Sequence, residues 1–158
     1  MNRIICIGNR YEECDSAGPL VYDQLAELDL PDGVSVVDGG LSGLNLLGQV
    51  EECRRVVFVD TVSGFGKPGE VMLIEDVSTV LDRPDRLDHG TGLGYLLSMI
   101  DQVVDGTPPE IVVVGLEPPC SETSLWRAVE MSILAATRDS KPPAAAWDTG
   151  KRRKDLIA

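Results

Sequence analysis

Two aspartates and a histidine are the side chains of this 158-residue sequence that best suit catalysis or metal binding. Asp15 follows the apolar run Ile4–Ile7 and a short polar loop. Asp60 ends a second apolar run, and His89, the single histidine of the chain, lies in a glycine-rich loop. Two carboxylates and one imidazole suit a first-row transition ion and leave coordination positions for water or substrate. Their spacing matches no compact metal motif, so the fold must bring them together.

Each of these residues also has a simpler interpretation. An aspartate after a strand is often a helix cap or a turn residue, which applies to both Asp15 and Asp60. A lone histidine such as His89 commonly has no chemical role. Asp38 ends another apolar run before two glycines, and it either orients a catalytic water or simply forms a turn. The sequence leaves these alternatives open.

Alternating strands and helices are predicted to position these residues. Short apolar runs bounded by turn residues predict strands at 4–7, 34–37, 55–61, 71–74 and 111–116. Apolar residues at helical spacing predict helices at 19–28, 42–50, 93–104 and 121–137. This order predicts an α/β fold, a single three-layer domain whose mainly parallel twisted sheet of about five strands is flanked by helices on both faces.

The predicted sheet places the candidate residues at one edge. The carboxyl ends of parallel strands meet there, and open α/β sheets bind ligands at that edge. Asp15, Asp60 and the loop of His89 are therefore expected to lie close together. Asp15 or Ser16 is also expected to cap the helix that follows. The strand at 71–74 can run antiparallel at an edge, because no helix separates it from the strand before it.

Composition and charge exclude several classes of function. The net charge is −12, with −15 in residues 1–137 and +3 in residues 138–158, so we expect no nucleic-acid partner. No apolar run reaches the length of about 18 residues that a transmembrane helix needs, so we expect no membrane association. The absence of a signal peptide predicts a cytoplasmic protein. We expect one domain over residues 1–137 and a mobile tail over residues 138–158.

Cysteine spacing and glycine motifs argue against other kinds of site. The four cysteines show no Cys-x-x-Cys spacing, which argues against a zinc ribbon or a dithiol centre. Cys6 is expected in the core, and Cys14, which is expected to be the only cysteine near the proposed site, is either structural or a soft ligand. The glycines at 90–94 lack the dinucleotide-binding spacing, and the sequence has neither a Walker lysine nor a serine-hydrolase elbow.

Five motifs in order resemble those of the hydrogenase maturation proteases, over about residues 3–137. They are Gly8-Asn9 with an acid six residues on and Gly18 beyond, Asp38-Gly39-Gly40-x-x-Gly43-x-x-Leu46-Leu47, Val59-Asp60, His89-x-x-Gly92-Leu93, and Val114-Gly115-Leu116-x-Pro118. The resemblance implies an aspartyl-type or metal-dependent endopeptidase that trims a C-terminal extension from a [NiFe]-hydrogenase large-subunit precursor after nickel insertion. It also implies that Asp15, Asp60 and His89 contact nickel supplied by the substrate. No tightly bound cofactor of the protein's own is expected, and the protein is expected to be a monomer.

One departure from the family pattern bears on activity. The family's usual Asp-Glu-Gly-x-Gly element is Cys14-Asp15-Ser16-Ala17-Gly18 here, so the acid at the ligand position is one methylene shorter. The shorter acid either still serves, or it marks weaker nickel contact or another substrate subgroup. A non-catalytic checkpoint or chaperone that binds the precursor or its nickel is the alternative function, and a peptidase for another precursor is a further rival.

Overall fold

The structure is a computed structural model that describes residues 1–41, 43–81 and 93–139. Within these residues the strands are β1 (Asn2–Ile7), β2 (Val34–Gly40), β3 (Arg55–Thr61), β4 (Val71–Ile74) and β5 (Glu110–Leu116). They form one sheet in the order β2-β1-β3-β5-β4. β1 pairs in parallel with β2 and β3, and β3 pairs in parallel with β5. β4 pairs antiparallel with β5 at the edge. The predicted sheet of five mainly parallel strands is thus confirmed.

Helices cover both faces of the sheet. The α-helices are α1 (Ala17–Ala26), α2 (Leu47–Val50), α3 (Ser78–Leu81), α4 (Leu93–Val103) and α5 (Glu122–Thr137), and 3₁₀ helices span Glu13–Asp15 and Gly43–Leu46. Val57 belongs to the core cluster shared with α1 and α5, whereas Phe58 belongs to the cluster shared with α2, α3 and α4. Successive residues of β3 therefore contact opposite layers, as the period of a strand requires. The three-layer architecture is confirmed.

The burial of the central strands β3 and β5 explains their continuous apolar sequences. Every residue of β3 is buried, and β5 is buried after its first residue. Parallel strands covered by helices on both faces need continuous apolar runs, which these two segments supply. A charged residue within such a strand is therefore conspicuous, and β3 contains one at each end, Arg55 and Asp60.

Arg55 has a structural role at the amino edge of the sheet. Its side chain is 3% exposed, and its Nη1 donates to the carbonyl oxygens of Ala135 at 2.6 Å and Arg138 at 2.9 Å. Its Nη2 lies 2.7 Å from a carboxylate oxygen of Glu110. The guanidinium thus satisfies carbonyls at the carboxyl end of α5, where a cation is favourable. Packing occupies this edge and leaves the opposite edge for the candidate site.

Two predicted elements differ from the structure. β2 continues through Gly40, because a bulge pairs Asp38 with Cys6 and Gly40 with Ile7, so Asp38 lies within the strand instead of after it. The single helix predicted at 42–50 is a 3₁₀ turn followed by the short α2, and position 42 lies outside the described residues. The 3₁₀ turn begins at Gly43, whose φ of +50° is left-handed and breaks the helical geometry.

α5 ends at Thr137, where the domain was predicted to end. The predicted tail lies outside the described residues from position 140 onward. Among the helices that the structure does describe, none has the length and apolar character of a transmembrane span.

Candidate active site

A tight loop between β1 and α1 positions Asp15. Gly18 lies so close to β1 that a Cβ at this position would sit 1.9 Å from the carbonyl oxygen of Ile7. Gly8 has a φ of +147°, and a Cβ there would sit 2.3 Å from the carbonyl oxygen of Asp15. Any other residue at either position would push α1 away from the end of β1. The two glycines of this motif therefore fix the path of the loop.

Asp15 lies in the 3₁₀ helix Glu13–Asp15 and is 1% exposed. Its Oδ2 accepts a hydrogen bond of 2.9 Å from the main-chain N–H of Asn9. The 3₁₀ helix lies against β3, the strand that contains Asp60. The prediction that Asp15 or Ser16 stands at the N-cap position of α1 is confirmed for Ser16, although no side-chain hydrogen bond caps the helix. The hydroxyl of Ser16 instead donates to the carbonyl oxygen of Glu13.

Asp60 lies at the carboxyl edge of the middle strand. It is fully buried, and its Oδ1 accepts a hydrogen bond of 2.8 Å from the N–H of Thr61. Because β3 lies between β1 and β5, this carboxylate is at the centre of the edge where Asp15 also lies. Burying a carboxylate is costly unless hydrogen bonds, a cation or a proton compensates its charge. The edge therefore brings two buried acids into one region of the sheet.

Asp38 lies at the rim, on the neighbouring strand. Its side chain is 39% exposed, its Oδ1 accepts from the N–H of Gly40 at 3.1 Å, and its Oδ2 lies 3.6 Å from Nη2 of Arg10. Arg10 also binds both carboxylate oxygens of Asp23, and its hydrogen bond lowers the pKa of that carboxyl group. Through these contacts Asp38, near the end of β2, helps to hold the loop after β1. A role for Asp38 in orienting water stays a prediction.

The third residue of the proposed set, His89, lies outside the described residues. In the part of the chain that is described, no three His, Cys, Asp or Glu side chains are placed to hold a metal ion. Asp15 and Asp60 are described without the histidine, so the nickel contacts of all three residues stay a prediction. For the two acids, Asp15 and Asp60, the predicted position at one edge of the sheet is confirmed.

A buried acid that is not among the predicted site residues lies beside this edge. Glu117 directly follows β5, and its carboxylate accepts hydrogen bonds from the N–H groups of Gly64, Phe65 and Gly66 at 2.8, 3.1 and 3.3 Å. It is 8% exposed. The available signal was its position, since Glu117 follows an apolar strand as Asp60 ends one. The two prolines that follow it, Pro118 and Pro119, are also typical of a turn.

A groove of about 410 Å³ runs past the 3₁₀ helix of Asp15 on the α1 and α5 side. Its lining residues are Glu13, Cys14, Ser16, Ala17, Leu20, Pro118, Pro119, Cys120 and Leu125. Cys14 is exposed, whereas burial and the charge of Glu117 raise the pKa of the half-buried Cys120 thiol. Cys14 was expected to be the only cysteine near the site, and this is wrong, because the turn after β5 brings Cys120 into the same groove.

The family is decided by sequence comparison. The family model described as hydrogenase maturation protease, HycI, matches residues 19–138, which is most of the chain. The chain belongs to the hydrogenase maturation protease family. The predicted family and the predicted enzyme class, a peptidase, are thereby confirmed. Asp38, Asp60 and His89 fall within the matched residues, whereas Asp15 and its loop precede them.

Individual members of the family are similar to much of the chain. The hydrogenase 2 maturation protease of Escherichia coli strain K12 is 28% identical over 150 residues, which are 87% of this chain and 90% of that protein. The hydrogenase expression/formation protein HupD of Bradyrhizobium diazoefficiens is 30% identical over 91 residues, 56% of this chain. The match spans about half, 47%, of the length of HupD.

A solved structure confirms the fold. The hydrogenase maturating endopeptidase HybD from E. coli superposes with a TM-score of 0.66 at 22% identity, covering 84% of this chain and 86% of that one. The three-layer arrangement of this hydrogenase maturation protease is therefore the arrangement of a known member. At 22% identity this likeness shows the fold and does not assign site residues.

Proposed function

We propose that this hydrogenase maturation protease removes a C-terminal extension from a nickel-loaded [NiFe]-hydrogenase large-subunit precursor and recognises the nickel that the substrate carries. The family membership supports the type of substrate. The observation that carries the proposal is the burial of Asp15 and Asp60 at one edge of the sheet, with 1% and 0% of their surface exposed. Two buried carboxylates in one region favour a bound cation, because its charge offsets their mutual repulsion.

The proposed nickel contacts combine geometry with the family resemblance. Asp15 and Asp60 supply oxygen ligands, and His89 supplies the imidazole nitrogen that the resemblance assigns to it. A mixed set of oxygen and nitrogen ligands suits a divalent first-row ion. Since the ion arrives with the precursor, the protease needs no cofactor of its own, and it acts as a monomer on the precursor.

The proposed reaction is hydrolysis of one peptide bond. Docking of the substrate nickel on the two aspartates and the histidine places the scissile bond at the sheet edge. One carboxylate takes a proton from a water molecule, whose oxygen attacks the peptide carbonyl, and the leaving amine takes up a proton. Asp38, at the rim, is the residue proposed to orient this water. Positioning the bond next to the water supplies much of the rate enhancement.

Intact-mass analysis of a nickel-loaded precursor tests this function directly. Incubation with the unmodified protein is expected to give one fixed C-terminal mass loss, and incubation with Asp15→Ala is expected to give none. Asp23→Ala is the matched control, because Asp23 is an exposed acid that pairs with Arg10. Cleavage by Asp15→Ala at the control rate would contradict the proposal.

One observation favours a second function, a non-catalytic checkpoint that binds the precursor or its nickel. Asp15 is one methylene shorter than the family's glutamate, and the Asn9 hydrogen bond holds its carboxylate inside the loop. An acid withdrawn in this way contacts the substrate nickel less closely. The same incubation separates the two functions, since a checkpoint forms a complex with the precursor but leaves its mass unchanged.

A further inference from the structure

The carboxylate of Glu117 joins the two chain segments that leave the sheet beside Asp60. Its Oε1 accepts from the N–H of Gly64 at 2.8 Å, and its Oε2 accepts from the N–H groups of Phe65 at 3.1 Å and Gly66 at 3.3 Å. Three successive main-chain donors thus converge on one buried side chain. Hydrogen bonds to a carboxylate are among the stronger ones in proteins.

The main chain of Glu117 holds the far end of the same loop. Its N–H donates to the carbonyl oxygen of Glu70 at 2.9 Å, and its carbonyl oxygen accepts from the N–H of Gly69 at 2.8 Å. One residue therefore contacts both the beginning and the end of the loop 64–70. On the near side, the N–H of Val62 donates to the carbonyl oxygen of Leu116 at 2.9 Å. The chain that follows Asp60 is thus held by hydrogen bonds to Leu116 and Glu117 at several points.

This anchoring concerns a segment that would otherwise be adaptable. Gly64 and Gly66 are exposed, and Gly64 has a φ of +76°. Glycines lose more conformational freedom on ordering than other residues, so a glycine loop is ordered only if strong contacts hold it. Phe65, between them, packs against the core cluster under the sheet. A buried carboxylate that holds three amides in place is such a contact.

We propose that Glu117 is a positioning residue for the peptidase reaction. By holding the loop 64–66 it fixes the segment that begins four residues after Asp60, and with it the site at which the substrate peptide docks. Glu117 touches neither nickel nor the scissile bond in this assignment. The inference rests on the proposed function, because it concerns the rate of that reaction.

The test compares substitutions at the two ends of β5. Glu117→Ala removes all three acceptor contacts. Glu110→Ala is the matched control, since it removes an acid from the same strand at the opposite edge, where Glu110 pairs with Arg55. Glu117→Gln is the conservative variant, because its amide keeps one acceptor oxygen and presents an N–H₂ group to the remaining donors.

Two readouts separate positioning from general destabilisation. Chymotrypsin cleavage after Phe65 reports whether the loop is held, and kcat for precursor cleavage, divided by the folded fraction at the assay temperature, reports the reaction. We expect Glu117→Ala to expose the Phe65–Gly66 bond and to lower kcat about 10- to 100-fold with little change in KM, since small misplacements near a reacting bond have effects of this size. Glu117→Gln is expected to recover part of this loss, and Glu110→Ala to leave both readouts unchanged.

Equal kcat values for folded Glu117→Ala and Glu110→Ala would overturn the proposal, as would an unchanged chymotrypsin pattern. If Glu117→Ala does not fold, Glu117→Gln and Glu110→Gln take the same two places, and equal kcat values again overturn it. Failure of the proposed function looks different, because the unmodified protein itself would then leave the precursor intact.

Discussion

The main-chain N–H of Asn9 donates a hydrogen bond of 2.9 Å to Oδ2 of Asp15, six residues further along the chain. This bond closes the loop between β1 and α1 and holds the carboxylate inside it. An amide oxygen can accept the same hydrogen bond, but only a carboxylate carries the charge that binds a cation. Substitutions at position 15 therefore separate the geometry of the loop from the chemistry of the site.

Asp15→Asn is expected to fold normally and to lose activity. The asparagine oxygen keeps the bond to Asn9, so the thermal unfolding midpoint should stay close to that of the unmodified protein. Loss of the charged ligand or base should lower the rate of precursor cleavage by about 100-fold or more. Circular dichroism melting and single-turnover cleavage measure the two effects, and a fully active Asp15→Asn would show that the charge is not used.

Gly18→Ala is expected to disrupt the same loop through the main chain. The added Cβ would lie 1.9 Å from the carbonyl oxygen of Ile7, so α1 must move and the packing of the apolar core must change. We expect the free energy of unfolding to fall by about 3 kcal/mol or more, in the range of severe core substitutions. Gly48→Ala is the control, because a Cβ there meets nothing within 4 Å. Urea unfolding compares the two, and similar values for both variants would argue against the close approach.

Arg55→Met is expected to destabilise the opposite edge of the sheet without a direct effect on the site. It leaves the carbonyl groups of Ala135 and Arg138 without their buried donor and Glu110 without its cation. A loss of about 2–3 kcal/mol in unfolding free energy is expected. Arg10→Met, which removes the exposed ion pairs with Asp23 and Asp38, should change stability little. A stability for Arg55→Met equal to that of the unmodified protein would contradict the capping role.

The cysteines should react with iodoacetamide in the order of their exposure and pKa. Cys14 is exposed and should be alkylated first at pH 8. Burial and the charge of Glu117 raise the pKa of the Cys120 thiol, so a smaller fraction of it is thiolate at pH 8 than the usual cysteine pKa would give. Cys120 should therefore react more slowly than Cys14, and its rate should rise as the pH is increased. Burial also raises the pKa of Cys6, which should react only after unfolding. Peptide mass mapping gives the order, and Cys120 reacting faster than Cys14 would be inconsistent with it.

The sequence predicts the sheet because buried parallel strands need continuous apolar runs. Arg55–Thr61 and Glu110–Leu116 carry such runs, and the acid at position 60 is visible as an exception in the first of them. The segment 43–50 is harder to predict, since a left-handed glycine divides an apolar pattern that otherwise suits one helix. Local conformation decides that case, and apolar spacing does not report it.

The candidate site is only partly predictable for a similar reason. The shared edge of Asp15 and Asp60 follows from the parallel direction of the strands, which the alternation of strands and helices implies. The inward hydrogen bond of Asp15 and the anchoring role of Glu117 depend on main-chain donors at Asn9 and at residues 64–66. Every residue except proline has such a donor, so the sequence gives no sign of which ones point at a carboxylate.

Recognition of the nickel that the substrate carries is tested most directly by comparing cleavage of the same precursor with and without nickel. Nickel-loaded and nickel-free forms of the same precursor would each be incubated with the unmodified protein and with His89→Ala, and the products would be measured by intact mass. We expect a C-terminal mass loss only for the nickel-loaded precursor with the unmodified protein. Equal cleavage of the nickel-free precursor, or full cleavage by His89→Ala, would contradict it.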